Sequence, residues 1–102
     1  MATLHTVNKS PFTHVTLSSC LQVCGTDDGI LLLEDGVFGA MNSAPCAQEL
    51  SELIEKGVKV YALAGDVKAR GLLEKVRQDV FVTDYNGFVQ LATEHRCVQS
   101  WY

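Results

Sequence analysis

Ile30-Leu31-Leu32-Leu33-Glu34-Asp35-Gly36 is the stretch on which the fold turns. Four apolar residues in succession leave no polar side. The segment therefore reads as a strand covered on both faces, as in a parallel sheet held between helices. Glu34-Asp35-Gly36 ends it with turn-forming residues. Working outward in both directions, strand-like and helix-like stretches alternate.

Leu4 to Val7 predicts a short first strand. Ser10-Pro11 then predicts a helix start, because serine caps well and proline suits a first helical position whose N–H has no partner anyway. That helix is expected to run to about Cys24, with Gly25 as its stop. Beyond Gly36, Val37 to Met41 is a short apolar segment. Ser43-Ala44-Pro45 opens a helix with its body from Ala47 to Lys56 and an apolar stripe of Leu50, Leu53 and Ile54. Val58 to Leu63 is rich in strand formers. Asp66 caps a short helix through Arg70 and Gly71, and Leu72 to Gln78 follows neither pattern. Val80 to Thr83 is the next strand, and Asp84 caps a last helix with Phe88, Val89 and Leu91 inward. The chain ends in a tail at Trp101-Tyr102.

Repeated strand-then-helix units predict an α/β fold in one domain spanning residues 1–102. Its parallel sheet would have four strands, or five, with helices on both faces. Working residues in such sheets gather beyond the carboxyl ends of the strands. Here those positions are Asn8-Lys9, Glu34-Asp35-Gly36, Ala64-Gly65-Asp66 and Asp84-Tyr85.

Composition and motifs exclude several functions. The net charge is −4 with no run of Lys and Arg, so no stripe for tracking nucleic-acid phosphates is expected. No apolar run approaches the roughly 20 residues that span a bilayer. His5, Asn8, Lys9 and Pro11 break up any secretion signal, which predicts a cytoplasmic protein. The phosphate-binding G-x-x-x-x-G-K-[ST], the dinucleotide G-x-G-x-x-G, the redox pair C-x-x-C and the hydrolase elbow G-x-S-x-G are all absent. No cofactor is expected. No metal site is expected either: Cys20 and Cys24 stand four apart, but the paired short spacings of zinc sites are missing around Cys46, Cys97, His5, His14 and His95.

Four cysteines remain: Cys20, Cys24, Cys46 and Cys97. In a reducing compartment they are free thiols, serving either packing or reactivity. Leu17, Cys20, Leu21 and Cys24 share one helical stripe, so Cys20 and Cys24 read first as core residues. Alternatively, Cys20 sits at the edge of that stripe and opens to a surface or a partner. Cys46 falls in the first turn of a helix, where exposed N–H groups and the helix dipole favour a thiolate able to attack sulfane sulfur. From the residues alone, Cys46 is the better candidate. Cys97 lies in the tail and reads as incidental. His5, inside the first strand, reads as hydrogen-bonded structure.

The motifs, taken in order, resemble one family. Leu4-His5-Thr6-Val7-Asn8-Lys9-Ser10-Pro11-Phe12, Leu31-Leu32-Leu33-Glu34-Asp35-Gly36-Val37, Lys59-Val60-Tyr61-Ala62-Leu63, Ala69-Arg70-Gly71-Leu72 and Asp84-Tyr85 are similar to the corresponding segments of TusB/DsrH proteins. The resemblance implies a DsrE/DsrF/DsrH-like fold and a cytoplasmic hexamer, α2β2γ2, with DsrE/TusD-like and DsrF/TusC-like subunits. Such complexes pass persulfide sulfur between cysteines toward a DsrC/TusE-type carrier. In the Tus branch the sulfur ends in tRNA wobble 2-thiouridine, and in the Dsr branch stored sulfur is oxidised. The principal carrier cysteine is expected on the DsrE/TusD subunit. A cysteine at the end of the first helix is expected of the Dsr branch. The resemblance therefore favours that branch and makes Cys20 the first candidate for a persulfide, Cys46 the second and Lys9 a possible anion partner. The alternatives it leaves open are a structural subunit without transfer chemistry of its own and a Tus-type subunit.

Overall fold

A computed structural model describes residues 2–102. In chain order the elements are β1 (Thr3–Val7), α1 (Thr16–Val23), β2 (Gly29–Leu32), a 3-10 helix (Glu34–Ala40), α2 (Ala47–Glu55), β3 (Lys59–Leu63), α3 (Ala64–Ala69), β4 (Phe81–Thr83), α4 (Tyr85–Glu94) and β5 (Cys97–Trp101). All five strands are parallel, in the order β4-β3-β2-β1-β5. The tail thus supplies the fifth strand, with Thr3 opposite Cys97 and Val7 opposite Trp101.

The sheet is built in two directions. From β1 the chain steps to β2, β3 and β4 on one side, then returns across the whole sheet to place β5 on the other side of β1. Right-handed crossovers in opposite directions put their helices on opposite faces. The first face accordingly carries α1, α2, α3 and the 3-10 helix. Its core includes Val7, Leu17, Cys20, Ile30, Leu32, Leu50, Val60 and Val67. The second face carries α4, whose Leu91 packs with Leu4 and Leu31, while Phe88 and Tyr61 lie at the margin. Strand alternation produces this division: Ile30 and Leu32 face one way and Leu31 the other, all fully buried. Among the described residues no helix is long and apolar enough to cross a membrane.

One local departure from the sequence reading, and two segments that it left without an element, have identifiable causes. Ser10-Pro11 makes a turn instead of starting α1. The Ser10 hydroxyl does accept from Phe12 N–H, but Thr13 Oγ1 bonds to Ser10 C=O and His14 Nδ1 and competes with helix propagation. The apolar segment after β2 is a 3-10 helix whose Gly36 presses on β1, where a Cβ would stand 2.0 Å from Val7 O. Residues 72–78 have no regular structure of their own, but Val76 bridges to Met41 and Arg77 N–H donates to Ala40 C=O at 2.9 Å. The Arg77 side chain is buried in its turn, bonded to Asp79, Ser51 and Ala47 C=O.

Candidate functional site: the thiols and the two ends of the sheet

At the amino ends of the strands Asp28 ties the α1–β2 loop to β1. One of its carboxylate oxygens accepts from Thr3 N–H at 3.0 Å, and the other from Gly25 N–H and His5 Nε2, both at 2.9 Å. Burial alone would raise this carboxyl, but the bonds from Thr3, His5 and Gly25 outweigh it and hold the group below its ordinary value. On the far side of the ring, His5 Nδ1 accepts from Trp101 Nε1 at 3.0 Å. His5 is thus hydrogen-bonded structure, as its position in β1 suggested. Asp28 and Trp101 were not singled out in the sequence. The only signals were an acidic residue just ahead of an apolar strand and a tryptophan in a polar tail.

Three of the four thiols line up along the same side. Cys20 is fully buried, and its thiol is pushed up to about 12, first by burial and then by Cys24 and Asp28. Cys24, half-buried at the end of α1, is pushed up to about 11 by burial and by Asp28. Cys97 is exposed at the start of β5, its Sγ 3.1 Å from Thr3 Oγ1. Among the described residues all four cysteines are free. Lys9 is not among the charges acting on Cys20.

Cys46 stands apart from this group. It is the N-cap of α2 with a left-handed backbone, φ 72°, and its thiol meets the Ser18 hydroxyl. The sequence reading expected a helix start to favour the thiolate there. Instead burial and the Glu49 carboxylate raise the thiol, and the Ser18 bond does not offset them. The helix begins at Ala47, so Cys46 precedes the first turn and Glu49 occupies it.

His5, Cys24 and Asp28 place one ligand atom each within 4.8 Å of one another. Their chemistry fits a cation poorly. An indole N–H only donates, so Trp101 leaves His5 Nδ1 as the acceptor and the ring proton on Nε2. Nε2 is the nitrogen that bonds Asp28, and a cation there would have to displace its proton and turn Trp101 away.

At the carboxyl ends Asp35, Asp66 and Asp84 make structural contacts, while Asn8 Oδ1 is buried with no hydrogen-bond partner among the described residues. Asp66 accepts from Glu34 N–H at 2.6 Å, supporting Glu34 in a left-handed conformation at φ 50°. Arg70 pairs with Asp35 at 2.9 Å and donates to Asp66 C=O at 3.3 Å. Asp84 caps α4 by accepting from Gly87 N–H at 2.8 Å. A cleft of about 750 Å³ lies between Met41–Ser43 and residues 74–79 and is lined by none of the four cysteines.

The fold and the buried thiols define a small parallel α/β protein with its sheet-end loops locked by caps and ion pairs. Comparison with known proteins identifies the family. The family described as "DsrH like protein" matches residues 9–98. Protein TusB of Pectobacterium parmentieri is 36% identical over 98 residues, covering 96% of this chain and 99% of the relative. Protein TusB of Erwinia tasmaniensis is 37% identical over 99 residues, and that of Escherichia coli K12 is 35% identical over 98, with the same coverage. The crystal structure of the ychN protein from E. coli superposes with a TM-score of 0.81 at 16% identity, covering 98% of this chain and 99% of that one. MTH1491 from Methanobacterium thermoautotrophicum follows at 0.78 and 18%, covering 96% and 97%. At these identities the two structures establish the fold alone. The chain belongs to the TusB/DsrH family, the one its sequence motifs resemble.

Proposed function

We propose that this chain is a subunit of a multi-chain sulfur relay of the Tus kind, in which persulfide sulfur moves toward 2-thiouridine at the tRNA wobble position. One observation carries the reading: the match to TusB proteins at about 36% identity runs through nearly the whole of both chains. The partners this implies are a TusD/DsrE-like and a TusC/DsrF-like subunit in an α2β2γ2 hexamer, with a TusE/DsrC-like acceptor, in the cytoplasm. Within it the chain acts chiefly as scaffold and docking surface, because Cys20, Cys24 and Cys46 are all shifted toward the protonated thiol. Cys20 remains the first candidate for a persulfide on this chain and Cys46 the second, and Cys20 takes part only once α1 is uncovered.

A second reading, oxidation of stored sulfur in the Dsr manner, is favoured by Cys20 itself. A host lacking the chain separates the two. Restoring the wild-type chain should restore 2-thiouridine in its tRNA, and Cys20→Ala should do so equally. Unchanged tRNA thiolation with loss of sulfur oxidation would establish the Dsr reading instead. A one-sulfur mass adduct on Cys20 in the native complex would replace the scaffold role with transfer.

A further inference from the structure

Trp101 is the chain's single tryptophan, and its bond to His5 spans 96 residues of sequence. It fastens the last residue of β5 to the middle of β1. The remaining β5 side chains, Cys97 to Ser100, are exposed, and only Trp101 packs against the core. β5 is an edge strand joined to the sheet on one side alone. Besides the β1 ladder, its attachment rests on the exposed Cys97–Thr3 contact at its start and on the anchored, core-packed Trp101 at its end.

The anchor depends on the protonation state of His5. With Nδ1 accepting from the indole, the neutral ring carries its proton on Nε2 and donates to Asp28. A second proton can enter only at Nδ1. Two N–H groups would then face each other at 3.0 Å, and the indole would lose its acceptor. The groups facing His5 are Asp28 from the loop ahead of β2 and Cys24 from the end of α1. Cys20, whose thiol feels both, lies nearby on α1, and from β5 Gln99 is in register with His5 while Cys97 bonds Thr3. None of these is a cation. The Asp28 carboxylate supports the imidazolium, so the ring keeps its place and only Trp101 lets go.

We propose that the His5–Trp101 hydrogen bond is a proton-operated latch on the C-terminal strand: neutral His5 holds β5 closed, and the imidazolium releases it. Because β5 packs against α1, release also thins the cover over Cys24.

The test uses the full chain, with Trp101 as its own fluorophore. Acidification from about pH 8 to about pH 5, the range in which imidazoles commonly titrate, should shift Trp101 emission to longer wavelength. The shift should follow protonation of His5 read by nitrogen NMR, with loss of amide protection in β5 alone. In His5→Asn the side-chain oxygen replaces Nδ1 as acceptor and does not titrate, so the emission shift should disappear. At one acidic pH, alkylation of Cys24 should be slower in His5→Asn than in wild type. The latch is refuted if His5 takes up its proton with emission and β5 protection unchanged, if His5 stays neutral across the range, or if His5→Asn keeps the transition. The wild-type NMR and fluorescence comparison decides the matter even if the variant does not fold.

Discussion

Cys20 should be the least reactive thiol in the chain, and the size of the effect follows from its surroundings. The side chain has no exposed surface, and its thiol is pushed from the ordinary 9.0 to about 12. Each tenfold loss of thiolate corresponds to one step on that scale, so near neutral pH the nucleophilic form is roughly a thousandfold scarcer than in an ordinary cysteine. Burial adds a further demand, because a reagent reaches Cys20 only through local opening of α1 or β5. Brief alkylation of the native chain with iodoacetamide, followed by peptide mass spectrometry, measures all four thiols at once. Denatured chain supplies the intrinsic reference for each. Cys97, exposed on β5, should be modified first, Cys46 and Cys24 more slowly, and Cys20 last by at least two to three orders of magnitude. Modification of Cys20 within about tenfold of Cys97 would refute the reasoning, since it would require a thiol that is both accessible and ionised.

The Asp28 carboxylate should contribute stability above its ordinary range. Its folded value is lowered below 3.8, so the contribution is fully present above about pH 5 and is lost as pH falls through the lower folded value. Asp28→Ala should cost about 2–4 kcal/mol in urea unfolding at neutral pH, with the gap to wild type narrowing as the pH falls below 3.8. Cys20 and Cys24 run the other way. Their raised thiols give stability that is complete below 9.0 and lost as pH rises through about 11 and about 12, so alkaline unfolding should begin earlier in wild type than in Cys20→Ala. Gly36→Ala places a methyl group 2.0 Å from Val7 O, and calorimetry should show a loss of about 3 kcal/mol or more.

The parts of the fold that were legible in the sequence are those where one residue type has one physical use. The run Ile30–Leu33 signalled a strand buried on both faces, and β2 is fully buried. The leucine stripe of α2 and the Asp84 cap of α4 lie where local pattern put them. Where the outcome depended on distant partners, the sequence was silent. Nothing local to Cys97–Trp101 marks a strand; it is one because β1 offers a free edge and His5 offers Trp101 an acceptor. Nothing local to residues 72–80 predicts that Arg77 will be buried, since the groups that satisfy it include Ser51 and Ala47 on another helix. For Cys46, a one-residue difference in where α2 begins replaced a dipole argument for the thiolate with a Glu49 carboxylate argument against it.

Cys20, Cys24 and Cys97 lie around the His5–Asp28–Trp101 network, and that shared position constrains any part they take in sulfur transfer. Sulfane sulfur moves by attack of a thiolate on a neighbouring sulfur, so a participating cysteine needs both access and charge. The closed chain withholds both from Cys20, and Asp28, which fixes β1 and the α1–β2 loop, is one of the charges responsible. Removing Asp28 to lower the thiol would loosen the same end of the sheet. Uncovering Cys20 by freeing β5 would leave the carboxylate beside it, still opposing ionisation. A change that both opens α1 and neutralises Asp28 meets both requirements. In the chain alone Cys20 should therefore be inert toward sulfur donors, and any persulfide on it should form only in the assembled complex.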